Sequence, residues 1–111
     1  MRLTLPPSAP GMRIGLYGGS FNPAHLGHRH VTLMALRRLG LDRVWWLVSP
    51  GNPLKSRSAL PPVVDRCAQA QRIARHPRIA VTGIEAALQV RFTVQTLRYL
   101  KNRRPGVHFV W

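Results

Sequence analysis

Apolar positions along the chain fall into four short runs, separated by stretches with helical periodicity. The first run, residues 12–17 (MRIGLY), predicts a strand and is followed by a glycine-rich turn at Gly18-Gly19-Ser20. From Leu26 to Leu39 the pattern is helical, with Val31, Met34 and Ala35 on one side and Gly40 as the C-terminal stop. Residues 43–49 (RVWWLVS) are almost wholly apolar, as expected of a parallel strand covered on both faces. A second helix is predicted over 62–76, with Val63, Cys67, Ala70 and Ile73 or Ala74 inward, and it stops at His76-Pro77. Residues 78–82 (RIAVT) predict a third strand. Thr93 reads as the N-cap of a third helix running to Arg103, with Val94, Leu97 and Leu100 inward. Pro105-Gly106 turns the chain into a fourth strand, VHFVW.

This βαβαβαβ alternation predicts an α/β fold, a Rossmann-like parallel sheet with crossover helices. Residues 1–11 read as a flexible leader, with Met12 as a second candidate start, and residues 12–111 as the domain. Because VHFVW closes on an uncapped apolar strand, the chain reads as the N-terminal part of a larger domain.

Composition narrows the class. With 111 residues and 45% hydrophobic content, the chain can build one modest core. Cys67 is the only cysteine, which excludes an internal disulfide framework and fits a cytoplasmic setting. No apolar run approaches the roughly 18 residues of a membrane span. Seventeen Lys and Arg against three acidic residues give a formal charge of +14, a field that attracts polyanions. The cations are scattered, however, and no aromatic RNA-binding strand or zinc-finger spacing accompanies them. They read as a solvated basic surface, and nucleic acid is not the expected partner.

The chemistry concentrates in Gly18-Gly19-Ser20-Phe21-Asn22-Pro23-Ala24-His25-Leu26-Gly27-His28, between the first strand and the first helix. Ligands bind at such positions in α/β sheets. Glycines allow close backbone approach to a phosphate, and a helix N-terminus adds partial positive charge. His25 and His28 share one face at the helix start, and Gly27 removes a side chain that could block a ligand. This composes a polyphosphate cradle, distinct from a Walker A loop and from a GxGxxG turn. A metal held by His25, His28 and His30 is not expected, because no Cys or carboxylate lies near them; His30 reads as a capping or packing residue.

The string GGSFNPAHLGH resembles the signature of the nucleotidylyltransferase superfamily. More narrowly, WWLVSPGNPLKS, IEAALQVRFTVQTLRYL and PGVHFVW are similar to segments in the N-terminal part of bacterial nicotinate-nucleotide adenylyltransferases. The resemblance implies adenylyl transfer from ATP, accompanied by Mg²⁺, to nicotinate mononucleotide, giving deamido-NAD and pyrophosphate in NAD biosynthesis. It implies that Gly18, Gly19, Ser20, Phe21, His25, Gly27 and His28 surround the ATP phosphates, with His25 and His28 at the reacting atoms. It places Asn52, Lys55, Phe92 and Thr93 beside the mononucleotide, Thr93 doubling as a helix cap. Asn22 stands where many relatives carry Asp, and the family's Ser/Thr-rich second phosphate motif has no counterpart in these residues. Two alternatives stay open: a related transferase acting on phosphopantetheine or forming a CDP-alcohol, and an inactive basic fragment that binds nucleotides or nucleic acid electrostatically.

Overall fold

A computed structural model describes residues 5–50, 61–88 and 93–111. The elements are β1 (Arg13–Gly19), α1 (Leu26–Arg38), β2 (Arg43–Val48), α2 (Val63–Ala74), β3 (Ile79–Thr82), α3 (Ile84–Leu88), α4 (Thr93–Arg103) and β4 (His108–Val110). The four strands form one sheet in the order β3-β2-β1-β4, every pair parallel. The expected α/β sheet with crossover helices is therefore present. The chain runs outward from β1 through β2 to β3, then returns past β1 to add β4. The strand order thus reverses beside β1, and the crevice at the C-terminal ends of β1 and β4 is the topological switch point.

Neighbouring tryptophans explain why β2 reads as continuously apolar: alternation sends Trp45 and Trp46 to opposite faces, and both faces are covered. On one face, Trp46, Val44 and Val48 pack with Leu36 of α1 and Ala70 and Ala74 of α2. On the other, Trp45 and Leu47 pack with Ile14, Leu16, Ile84 and Leu100. The result is a three-layer sandwich with α1 and α2 on one side and α3 and α4 on the other. Arg29 ties the first pair together by donating from Nε to the carbonyl of Ala74, the last residue of α2, at 3.1 Å.

Three expectations need correction. Residues 5–11 are not a loose leader: Leu5 is buried in the second core cluster, the Gly11 N–H donates to Gly106 O at 2.8 Å, and Arg104 Nε donates to Ser8 Oγ at 3.2 Å. Three prolines between Leu5 and Gly11 restrict this segment's backbone, which lowers the entropic cost of laying it down. The inward faces of α1 and α4 are also different. Val31, Met34 and Val94 are exposed, whereas Thr32, Leu36 and Thr96 are buried. Thr32 is tolerated inside because its hydroxyl is fully used, donating to His28 O at 2.8 Å and accepting from Trp46 Nε1 at 2.9 Å. Thr96 donates to Glu85 of α3, a short helix that periodicity could not reveal in five residues.

The two tryptophans differ in one respect: Trp46 Nε1 has Thr32, whereas the buried Trp45 Nε1 has no partner among the described residues. Trp46→Phe should therefore destabilise the fold by about 1 kcal/mol more than Trp45→Phe, the net worth of one hydrogen bond. Denaturant unfolding of both variants checks this, and equal losses would contradict it.

Candidate active site

The segment at the switch point owes its shape to backbone donors that need acceptors. The first N–H groups of any helix lack intrahelical partners, and at α1 they are met by imidazoles. His25 is the N-cap residue, and its Nδ1 accepts from the Gly27 N–H at 3.1 Å. His28, three residues on, returns its Nδ1 to the His25 N–H at 3.0 Å. This is the reciprocity of a capping box, with histidine in both roles. The two rings lie 3.9 Å apart, centroid to centroid.

The cap has a chemical consequence. An imidazole nitrogen that accepts from a backbone N–H carries no proton, so both neutral rings hold theirs on Nε2. Each therefore has one Nε2–H donor available to a ligand. Protonating His28 at Nδ1 would turn that acceptor into a donor facing the His25 N–H that it caps. For His28 the protonated form is disfavoured further: burial, and then the like charge of His25, hold its pKa below the usual 6.5. His28 thus presents a neutral donor at Nε2.

The glycines act differently from expectation. Gly18 and Gly19 are the last residues of β1, in register with Leu47 and Val48, and neither has positive φ. The left-handed residue of the turn is Phe21, at φ 48°. Its ring is only 2% exposed and stacks on Trp46 at 5.1 Å, with His28 at 4.8 Å. Phe21 can meet a phosphate only through its backbone; its side chain anchors the turn to the core. Gly27 clears space for the cap itself, since a Cβ there would lie 2.9 Å from the His25 ring. Gly19 is half-buried, and Gly18 and Ser20 are exposed at the mouth of the switch point. His30 is exposed on α1.

Thr93 is the first residue of α4; Asn52, Lys55 and Phe92 lie outside the described residues. Two other residues at the site went unrecognised in the sequence. Arg66, on α2, is 3% exposed, and its guanidinium donates to Pro61 O at 2.8 Å, Ser20 O at 2.8 Å and Ser49 O at 2.7 Å. Gln69, one turn later, accepts from the Ala24 N–H at 2.9 Å and donates to Ala24 O at 3.1 Å. The signal for Arg66 was its place on the buried stripe of α2, between Val63 and Ala70.

No cluster of three His, Cys, Asp or Glu capable of holding a metal occurs among the described residues. Two of the three carboxylates are committed elsewhere: Asp42 accepts from the Arg13 N–H, and Glu85 from Thr96; the third, Asp65, lies in the first turn of α2. No described helix is long and apolar enough to cross a membrane.

A protein of Methylorubrum extorquens (strain PA1) named "Probable nicotinate-nucleotide adenylyltransferase" is 64% identical over 100 residues, covering 90% of this chain and 54% of that protein. One of the same name from Cereibacter sphaeroides is 61% identical over 100 residues, covering 90% and 52%. Among solved structures, the Plasmodium falciparum nicotinic acid mononucleotide adenylyltransferase complexed with NaAD superposes with a TM-score of 0.73 at 21% identity, over 88% of this chain and 49% of that one. The chain spans about half the length of the curated relatives it matches. Residues 16–110 match the cytidylyltransferase-like family. That match reaches every strand of the sheet and includes the whole histidine cap, so the chain belongs to the cytidylyltransferase-like family.

Proposed function

We propose that this chain carries the phosphate-binding half of an enzyme that transfers the adenylyl group of ATP to nicotinate mononucleotide, releasing pyrophosphate and forming deamido-NAD. The observation that carries this reading is the pair of Nδ1-capped imidazoles at the N-terminus of α1, placed at the switch point. The acceptor is suggested by the names of relatives at 64% and 61% identity. The setting of such a biosynthetic step is cytoplasmic.

In this reading a 5′-phosphate oxygen of the mononucleotide attacks the α-phosphorus of ATP in line. The bond from that phosphorus to the β-phosphate bridging oxygen breaks, and its electron pair leaves with pyrophosphate. No covalent enzyme intermediate is required, so catalysis rests on positioning and on neutralising charge that grows on the phosphate oxygens. His28 and His25 supply Nε2–H donors to those oxygens. Gly18, Gly19, Ser20 and Phe21 supply backbone at the turn, Gly27 keeps the cap open, and the N-terminus of α1 adds its partial charge. Asn52, Lys55, Phe92 and Thr93 are assigned to the mononucleotide. With no carboxylate pair at the turn, the described residues do not fit a protein-held Mg²⁺; the cation enters as part of the substrate, MgATP.

The test is pyrophosphate release by the full-length protein with ATP and nicotinate mononucleotide. Release only with phosphopantetheine, or only from CTP with a phosphorylated alcohol, would replace this assignment by a sibling activity. Steeply salt-dependent polyanion binding without turnover would favour the electrostatic fragment instead.

His28→Gln separates cap from chemistry, because Gln is a standard third-position partner in a capping box. The variant should keep its fold near neutral pH yet lose about 3 kcal/mol of transition-state stabilisation, the scale of one preorganised donor. Wild-type turnover in that variant would remove His28 from the reaction. Its pH dependence should also change. A histidine whose folded pKa lies below its unfolded value contributes stability that is present above 6.5 and is lost as pH falls through the folded pKa. Urea midpoints measured across that window should fall more in wild type than in His28→Gln, and parallel curves would argue against it.

Gly27→Ala should displace the His25 ring and lower kcat/KM with little loss of fold, since its Cβ meets a side chain and not backbone. A normal kcat/KM in that variant would mean that the ring position is immaterial.

A further inference from the structure

Between Ser20 and His25 the turn is held by side chains from another element. Gln69 grips Ala24 through both its amide atoms, clamping the residue that precedes the His25 cap. Arg66, three residues earlier on the same helix, holds the carbonyl of Ser20 at the start of the turn. The same Arg66 nitrogen also holds the carbonyl of Ser49, the first residue beyond β2. One side chain thus joins the exits of the two central strands.

We propose that Arg66 and Gln69 are positioning residues for adenylyl transfer: Gln69 sets the ATP-side turn alone, and Arg66 fixes that turn relative to the exit of β2, which in sequence precedes Asn52 and Lys55, the residues assigned to the mononucleotide. The inference rests on the proposed function for the identity of the two substrates. The geometry behind it is asymmetric. Among the described residues Gln69 bonds to the turn at Ala24 alone, whereas Arg66 bridges two backbone segments with a planar, multi-donor group. Its charge is answered by three carbonyl oxygens, so Arg66 also adds a buried positive charge beneath the phosphate turn, where solvent screens it little. Lysine could keep that charge but not the forked donation.

The two residues therefore predict different kinetic signatures. In the full-length protein, Gln69→Leu should raise KM for ATP by roughly tenfold or more while KM for nicotinate mononucleotide stays unchanged. Arg66→Met should raise both KM values and lower kcat, and Arg66→Lys should recover ATP binding better than mononucleotide binding. A merely structural role would lower the melting temperature and the active fraction, leaving KM values alone. A readout independent of turnover is the His28 titration followed by NMR, which should move upward in Gln69→Leu as the loosened turn lets water reach the ring. Wild-type KM for ATP and wild-type His28 titration in folded Gln69→Leu would overturn the proposal. So would Arg66→Met altering KM for ATP alone. If Arg66→Met fails to fold, Gln69→Leu and Arg66→Lys still decide it. A wild-type protein that binds no ATP would overturn the adenylyl-transfer reading itself, and this inference with it.

Discussion

The geometry at the head of α1 follows from one constraint: helix N–H groups left without intrahelical partners must find acceptors. Ser, Thr or Asp usually meet that need. Here two imidazoles meet it, and the choice has consequences that a hydroxyl cap would not have. Accepting at Nδ1 fixes the protonation site of each ring and keeps its other nitrogen as a donor. The 3.9 Å approach of the two rings penalises double protonation. It also requires Gly27, whose missing Cβ is the space the His25 ring occupies. His25, Gly27 and His28 are thus one geometric statement, in which the groups that cap the helix are those proposed to meet the ligand.

That turn is pressed from below by aromatic packing and from the side by α2. Phe21 adopts a left-handed backbone conformation that costs a bulky residue energy, and its ring is buried against Trp46 and His28. Thr32 then links the carbonyl of His28 to Trp46, so α1's first turn is fastened to the middle of β2. Rigidity of this kind suits phosphate chemistry, in which donors placed before the reaction need no reorganisation during it.

Much of this was legible in the sequence because α/β architecture writes itself in short-range pattern. Four apolar runs alternating with helical periods predicted the four strands, α1, α2 and α4, and the glycine–histidine string falls at the turn between β1 and α1. What escaped was tertiary in origin. Thr32 and Thr96 look like surface residues until Trp46 and Glu85 are brought to them, and Val31, Met34 and Val94 look like core until the helices are rotated by those polar contacts. The proline-rich leader looked loose because its anchor, Gly106, is almost the whole chain away. The sequence pattern places the turn at Gly18-Gly19-Ser20, whereas the strand extends through both glycines and the unusual φ falls on Phe21.

Arg66 was the hardest to see, for a reason that also bears on the chain's charge. In a sequence with 17 cations, one more arginine carries little information. Exposed cations act over distances that salt screens within about 10 Å, so a formal charge of +14 concentrates polyanions without choosing among them. A buried guanidinium is different in kind: desolvation is tolerated only because three carbonyls are held at hydrogen-bond distance. Its energetic demand therefore selects one arrangement of the exits of β1 and β2. Under the proposed function, the surface charge draws an anion toward the domain, and Arg66, Gln69 and the paired histidines position its phosphorus atoms.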